Sequence, residues 1–515
     1  MEQDIPAAAQ AIVIGGGAMG CSTAYHLAKL GCRDVILLER EKLTSGTTWH
    51  AAGLVRQLRA TANLTSLIRY GVGLYASLEA ETGQSTGWSQ TGSLSVAAHP
   101  DRFIHIKRMA SLAKMFGLPA DVVDLKEAQR LWPLCRTDDL VGAVWSPSDG
   151  RVNPSDLCAA YAKGARLHGA RIFEGVKVTG IDVRNGRVAG VQTDRDLRLS
   201  PLHDRLAAKG AEFHERGGWE RPVVFRRGGF ESDVTVMRWA EDAFLLVTGA
   251  VQGVRDAVWI RRHLGPDDFV TVADVTSAYA VLGVMGPKSR EVLLRAGAGG
   301  LDNDSHPYLR WRNIEVGHAV VRAARVTYVG ELGWELHVPT EFARGVYDVL
   351  HEAGARLGLL DAGYHALGSL RIEKGYRAWG AELSPDETPF EAGLGFAVKL
   401  DKGAFSGRQA LLGKRAEGPP RKRLLQLRAE DAEAFLHGGE PILWRGRHVG
   451  QITSAAFGHT IGRPVAMGYV RAVDDASVAD MVGAGGFEAE IALRRFPISA
   501  SFSAWHDPKG ERLRA

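Results

Sequence analysis

Residues 11–53 read AIVIGGGAMGCSTAYHLAKLGCRDVILLEREKLTSGTTWHAAG, and the fold of the N-terminal part follows from this stretch. Ile12, Val13 and Ile14 form a short β-branched run suited to a strand buried on both faces. Gly15, Gly17 and Gly20 follow at G-x-G-x-x-G spacing, and Cys21 to Leu30 favours a helix. A second apolar run, Val35 to Leu38, ends in Glu39, at the roughly 20-residue offset of a ribose-binding acid. In such a unit the glycines let the backbone approach a pyrophosphate and the helix N-terminus faces its charge, while the acid accepts from a ribose hydroxyl. With strand, helix, strand and acid in register, a dinucleotide site is expected. The plain alternative is an ordinary βαβ unit with turn glycines.

The next residues, Thr44-Ser45-Gly46-Thr47-Thr48-Trp49-His50-Ala51-Ala52-Gly53, are small and hydroxyl-bearing apart from one Trp and one His. By pattern alone His50 is a surface-loop histidine. The run resembles the flavin-attachment segment of the sarcosine and dimethylglycine dehydrogenase family, whose histidine bonds covalently to the flavin 8α-methyl carbon. That resemblance implies FAD contacts from Gly15, Gly17, Ala18, Met19, Gly20, Glu39, Arg40, Gly46, Thr47, Thr48, Trp49, His50, Ala51, Ala52, Gly53 and Leu54, with His50 as the tether. Glu39 would also admit NAD, but the His50 segment argues against a nicotinamide enzyme.

At 515 residues the chain is too long for one ordinary core, so about two to four domains are expected. Its 45% hydrophobic and 24% charged content fit a globular protein. A net charge of +4, with no basic cluster interleaved with aromatics, argues against a nucleic-acid partner; Arg421-Lys422-Arg423 reads as linker. Cys21, Cys32, Cys135 and Cys158 lack C-x-x-C spacing, so reduced core thiols and no metal site are expected. Met1 to Gln10 carries Glu2 and Asp4 and neither a secretory leader nor an Arg-rich presequence. No apolar run approaches the roughly 20 residues of a membrane span. A cytoplasmic protein is expected.

Helices are expected over Leu64 to Leu78, Arg102 to Phe116, Leu125 to Leu131 and, capped by Asn153 with Pro154 at the first position, on to about Leu167. Gly87 to Val96 reads as a strand pair around a turn, and Val176 to Val183 with Arg187 to Thr193 as a hairpin about Asn185-Gly186. This part resembles the first half of the same family through Gly87-Trp88, Pro147-Ser148-Asp149-Gly150 and Val178-Thr179-Gly180-Ile181, and the family implies that Val178 lies at the adenine side of FAD. Beyond Asp194 the resemblance breaks. From Asp196 the chain passes to Leu199–Leu206, which is similar to the entry of the family's second half. The closing strand and helix of the FAD fold, and the family's substrate-facing His and Tyr, have no counterpart. A smaller gap, at the opening strands of the folate domain, falls between Gly218-Trp219-Glu220-Arg221-Pro222 and Gly228. A sheet shortened in this way exposes an unpaired edge and apolar faces.

From Gly228 to about Arg495 the chain resembles the aminomethyltransferase (glycine-cleavage T-protein) module that ends these dehydrogenases. Gly228–Val236 is a glycine turn into a strand with Asp233 at its mouth; Tyr328–His337 is a turn with two carboxylates followed by a strand; Ser369–Arg377 sits on a helix ahead of Thr388–Leu394. A pterin edge is rich in donors that a carboxylate can pair with bidentately, and its face suits an aromatic. Together with the resemblance this implies tetrahydrofolate contacts from Asp233, Val234, Thr235, Tyr328, Glu331, Glu335, Leu336, His337, Arg371 and Phe396, with Arg371 on the glutamate tail and Phe396 where the family usually has Tyr. The family gives Asp233 the catalytic part in methylene transfer. By pattern alone Glu331, Glu335 and Glu373 are solvated charges. Thr340 is expected to cap a helix carrying Phe342, Val346, Val349 and Leu350, and Leu411 to Arg423 to be a linker. The short strands beyond it suggest a small barrel.

The expected architecture is α/β and α+β multidomain: an incomplete Rossmann-type FAD-binding domain over 1–198, a connecting segment over 199–227, a T-protein-like folate domain over 228–412 and a C-terminal β-barrel over 421–505. The resemblance implies oxidative demethylation of sarcosine or dimethylglycine. Hydride would leave the N-methyl carbon for flavin N5, and the iminium would be hydrolysed to formaldehyde or its carbon passed to tetrahydrofolate. Oxygen or an electron-transfer flavoprotein would take the electrons. The alternative is a folate-binding, aminomethyltransferase-like protein with a vestigial FAD domain.

Overall fold

The structure, a computed structural model, describes residues 5–6, 8–184, 187–194, 228–265, 268–401, 403 and 405–515. The connecting segment 199–227 and the turn Asn185-Gly186 lie outside the described residues. The chain divides into two units, Met1–Arg221 and Pro222–Ala515.

The first unit runs β1 (Ala11–Ile14), α1 (Ala18–Lys29), β2 (Val35–Glu39), β3 (Leu54–Val55), α2 (Ala62–Thr82), β4 (Ser93–Ala97), α3 (Pro100–Met115), β5 (Asp121–Val123), α4 (Leu125–Leu131), β6 (Gly142–Ser146), β7 (Gly150–Arg151), α5 (Pro154–Leu167), β8 (Arg171–Glu174), β9 (Val178–Arg184) and β10 (Arg187–Thr193). β2 lies between β1 and β8 in a parallel sheet, with Leu37 opposite both Val13 and Ile172. Every residue of β2 is buried, as a two-faced apolar strand requires. α1 packs Cys21, Ala24, Tyr25 and Ala28 into one core with Leu157, Cys158, Tyr161 and Ala165 of α5. A Cβ at Gly164 would lie 2.8 Å from the Tyr25 ring, so this helix contact depends on a missing side chain. α5 begins as its sequence says, with Asn153 accepting from the Ser155 and Asp156 N–H groups.

β1 is thinly covered. Ile12 and Ile14 are 38% and 50% exposed at the edge of a sheet that has three strands among the described residues. The strand pair expected over Gly87 to Val96 does not form. β4 pairs instead with β6, which also pairs with β5, and Ser89 bridges Arg151. The positive φ angles of Gly87 and Gly92, 61° and 71°, redirect the chain without folding it back on itself. The β9–β10 hairpin is antiparallel, with Val183 opposite Val188.

The second unit opens with the hairpin β11 (Val234–Arg238) and β12 (Phe244–Thr248), then α6 (Gly253–Arg262), β13 (Tyr279–Met285), α7 (Ser289–Arg295), β14 (Trp311–Val316), β15 (Ala319–Ala324), β16 (Gly333–Pro339), α8 (Ala343–Gly354), α9 (Tyr364–Glu373) and α10 (Arg408–Ala416). β13-β16-β15-β14 form an antiparallel sheet. Trp334, Leu336 and Val338 point from β16 into a core with Val292 and Leu293 of α7 and Val346 and Leu350 of α8. Strand alternation puts Glu335 and His337 on the opposite face.

Two sequence expectations are corrected here. Thr340 does not cap α8; its hydroxyl donates to the Ser277 carbonyl at 2.8 Å, and a 3-10 turn, Thr340–Phe342, leads into the helix. The linker is shorter than expected, because Arg408–Ala416 is helical around one buried residue, Leu411. After it, β17 (Lys422–Ala429), β18 (Pro441–Trp444), β19 (Arg447–Gly458), β20 (Arg463–Arg471), α11 (Val478–Ala484), β21 (Phe487–Ile491) and β22 (Arg494–Ser501) form a closed barrel of order β17-β20-β19-β18-β21-β22. No described helix is long and apolar enough to cross a membrane.

Candidate functional site

The turn between β1 and α1 has the geometry its glycine spacing implies. Gly15 takes φ +103°, and a Cβ at Gly20 would lie 1.9 Å from the Gly15 carbonyl oxygen. Gly17 precedes α1 without a side-chain cap, and the first helical turn carries no acid, so the positive end of α1 is left for a negative group. Glu39, 9% exposed, accepts from the Gly16 N–H at 2.6 Å and, through its other carboxylate oxygen, from the Glu41 N–H at 2.9 Å. It is fixed beside the turn with acceptor capacity remaining for ribose hydroxyls.

The loop that follows is docked on this turn. The Thr44 N–H donates to the Gly16 carbonyl at 3.1 Å, and the Ala18 N–H to Thr48 Oγ1 at 3.0 Å. Thr48 opens a 3-10 turn ending at His50, whose exposed ring sits 3.9 Å from that of Trp49, centroid to centroid. Gly53, at φ +75°, closes the loop on Val152 and leads into Leu54. Met19, Arg40, Gly46, Thr47, Ala51 and Ala52 are exposed. Val178 packs with Ile36 and Leu38 of the strand that ends at Glu39. The sequence reading missed what holds the turn from beneath: the thiols of Cys21 and Cys158 both donate to the Gly16 carbonyl, at 3.6 and 3.5 Å, and Glu174 accepts from the Leu43 N–H at 2.6 Å. Cys158 carries no local sign of this, since its partner is far away in sequence. These residues fit an FAD: a glycine cradle, a helix end with no acid in its first turn, a fixed acid beside it and an accessible histidine on one hydrogen-bonded loop.

In the second unit Asp233 stands where the Gly228–Ser232 turn enters β11. Gly229 is pressed on Pro385, where a Cβ would lie 1.9 Å from the carbonyl oxygen, and the Phe230 N–H donates to the Ser384 and Glu387 carbonyls, each at 3.2 Å. Solvent reaches the Asp233 carboxylate, which limits the upward push that its partial burial gives its pKa. Tyr328 donates to the Arg377 carbonyl at 2.8 Å and stacks on Tyr376; burial pushes its phenol up to about 12, with Arg371 opposing and Glu382 and Asp233 adding to the shift. Glu335 sits opposite Gly283 and Ala324 of the neighbouring strands, so no large side chain stands beside it. Burial raises its pKa. His337, two residues on and on the same face, is 2% exposed with Nε2 unpartnered, next to Arg322 on β15. Arg322 lies over the Trp239 ring at 3.9 Å and donates to the Tyr279 hydroxyl at 2.7 Å. Glu335 thus shares a sheet face with His337, whose neighbour Arg322 contacts Trp239 and Tyr279, a carboxylate and an aromatic pair of the kinds a pterin takes.

Other expected contacts come out differently. Leu336 is fully buried on the core face of β16, so its side chain cannot reach a ligand on the Glu335 face. Glu331 accepts from Arg512 at 3.0 Å, near His506, and is taken up by the C-terminal segment. Arg371 is buried and bonded to Glu382 at 2.8 Å and to Ser454 of the barrel at 2.7 Å; a folate carboxylate would find it occupied. Val234 and Thr235 are exposed on β11, paired with Thr248 and Val247. Phe396 is 77% exposed and lines a cavity of about 1430 Å³ with Phe390 and Arg423. The sequence reading also missed Arg255 and Asp256, on a helix whose one buried residue is Asp256 itself.

Residues 10–217 match the family model of the FAD dependent oxidoreductase domain, residues 224–402 that of the GCVT N-terminal domain, and residues 422–507 that of the glycine cleavage T-protein C-terminal barrel domain. Fold and sites thus define a flavin oxidoreductase module followed by a T-protein module. The chain is 25% identical to "Sarcosine dehydrogenase, mitochondrial" of Mus musculus, in an alignment of 857 positions that takes in 99% of this chain and 93% of the relative. It is 25% identical to "4-methylaminobutanoate oxidase (formaldehyde-forming)" of Paenarthrobacter nicotinovorans, over 99% of this chain and 97% of that protein. Its C-terminal part is 35% identical to the aminomethyltransferase of Halothermothrix orenii, over 48% of this chain and 68% of the relative. The chain belongs to the sarcosine and dimethylglycine dehydrogenase family of FAD-dependent amine oxidoreductases. A chain of 515 residues in an alignment of 857 positions leaves many of the relative's positions facing gaps, so interior segments of the family are missing here.

Proposed function

We propose that this chain oxidatively demethylates an N-methylglycine, sarcosine or dimethylglycine, with FAD tethered at His50 and the one-carbon unit released as formaldehyde or passed to tetrahydrofolate. The observation that carries the reading is the docking of the His50 loop on the glycine turn through Thr44 and Thr48. FAD, when bound, supplies the hydride acceptor for the N-methyl carbon. The chain's own part is to hold and orient: Gly15 to Gly20 and the α1 N-terminus receive the pyrophosphate, Glu39 fixes the ribose, and Val178 covers the adenine side. Thr48 keeps His50 at the accessible end of the loop. In the second unit Glu335 pairs with the pterin edge, Tyr328 offers its face, and the Asp233 carboxylate holds a proton during methylene transfer. Oxygen or an electron-transfer flavoprotein is the acceptor. The four free thiols support a reducing, cytoplasmic setting. Acid precipitation of the purified chain tests the tether. Yellow colour stays with the pellet of the wild type and passes to the supernatant for His50→Ala; wild-type colour in the supernatant excludes the bond.

A second reading, a folate-binding protein with a vestigial FAD domain, is favoured by the exposed Ile12 and Ile14 of the three-stranded sheet. It is selected if tetrahydrofolate raises the melting temperature and FAD does not.

A further inference from the structure

Among the described residues, no hydrogen bond or ion pair holds the Asp233 carboxylate, although its backbone approach is strongly fixed. The two residues before it are both gripped by one adjacent pair on α6. Arg255 Nη1 donates to the Glu231 carbonyl at 2.5 Å, and its Nη2 pairs with the Glu231 carboxylate. Ser232 Oγ donates to Asp256 Oδ2 at 2.8 Å, and Thr248 Oγ1 donates to the same oxygen at 2.5 Å. Thr248 is the β12 partner of Val234, the residue after Asp233. Arg255 Nη1 also reaches Asp256 Oδ1 at 3.2 Å, and the guanidinium lies over the Trp379 indole at 4.8 Å. The pair thus holds the chain on both sides of Asp233. Asp256 is 7% exposed and accepts from three donors, so its charge is compensated in place.

We propose that Arg255 and Asp256 are positioning residues, a clamp that sets Asp233 at the transfer geometry while leaving its carboxylate free. This rests on the folate reading above. In the transfer, the iminium carbon bonds to two folate nitrogens as its bond to the glycine nitrogen breaks. The two protons released by those nitrogens pass to the glycine nitrogen, and a carboxylate must stand along that path. Displacement by about 1 Å in such a step costs about a hundredfold in rate, so a group that fixes Asp233 affects capture of the carbon more than binding of the folate.

The test uses the full chain with FAD, sarcosine and tetrahydrofolate, and reads the ratio of methylene-tetrahydrofolate to free formaldehyde. Arg255→Met and Asp256→Asn lower the ratio at least tenfold, toward the value for Asp233→Asn, while the dissociation constant for tetrahydrofolate changes less than twofold. Arg255→Lys, which keeps one contact to Glu231, recovers part of the ratio. Ser232→Ala removes a single hydrogen bond and gives the same sign in a mild form, should the larger changes compromise folding. An unchanged ratio overturns the clamp, and so does a fall matched by an equal loss of folate affinity, which marks a general structural role. A wild type that makes no methylene-tetrahydrofolate overturns the folate reading, and this inference with it.

Discussion

One methyl group is enough to probe the nucleotide turn. The Cβ of Gly20→Ala would lie 1.9 Å from the Gly15 carbonyl, so the α1 N-terminus must move off the pyrophosphate position. The purified variant is expected to carry at least tenfold less flavin per chain, measured as the ratio of flavin to protein absorbance. A pH effect belongs to this scale too. Burial, with Arg322 adding, holds the His337 imidazole below its ordinary value. The folded state therefore keeps it neutral where the unfolded chain takes a proton, below about pH 6.5. Its contribution to stability is fully present above that value and is lost as pH falls through the folded pKa. His337→Gln removes this dependence, so its melting temperature falls less steeply than the wild type's between pH 7 and 5; parallel slopes would contradict the assignment. The tight turn at Gly15 and Gly20 and the placement of Glu39 beside it were legible in sequence because spacing alone fixes that geometry. Leu336 was grouped with Glu335 although the alternation of β16 puts its side chain on the core face, because a resemblance carries a run of residues and not the face each one occupies.

At the scale of elements, the sequence shows local pairings and hides distant ones. The β9–β10 hairpin is visible from its alternation, whereas β4 pairs with β6, beyond an intervening helix and strand. α10 was read as linker because a nine-residue helix with only Leu411 buried has too short an apolar stripe to register. Arg371 is the instructive case. Its partners, Glu382 in a loop and Ser454 on β19, tie α9 to the barrel, and no motif announces them. Glu382 has a fully buried side chain. Removing the guanidinium leaves a buried carboxylate with only the Ala378 N–H and the Thr453 hydroxyl to hold it, and breaking such a pair costs about 3–5 kcal/mol. Arg371→Ala is therefore expected to lower the melting temperature of the second unit by a matching amount. Glu382→Gln with Arg371→Met restores part of it, because both charges leave together. A variant that melts like the wild type yet binds folate more weakly would return Arg371 to the glutamate tail.

For the molecule as a whole, the two units stand on separate cores of different quality. The sheet of the first ends at β1 with Ile12 and Ile14 half exposed, while the second has a closed barrel and a sheet packed under two helices. A three-stranded sheet with an open apolar edge gains less from burial than a closed one, so the first unit is expected to unfold at the lower temperature. FAD and tetrahydrofolate then act on different transitions. A ligand present at a hundred times its dissociation constant stabilises the unit it binds by about 2.7 kcal/mol. Calorimetry of the full chain should show two transitions, the first moved by FAD alone and the second by tetrahydrofolate alone. Flavin moving neither transition would mean that the loss of interior strands has left the glycine turn without a working site. Folate moving only the first would place its pocket away from Glu335 and Asp233. A single transition raised by both ligands would show that the two cores unfold as one, against the division of their packing.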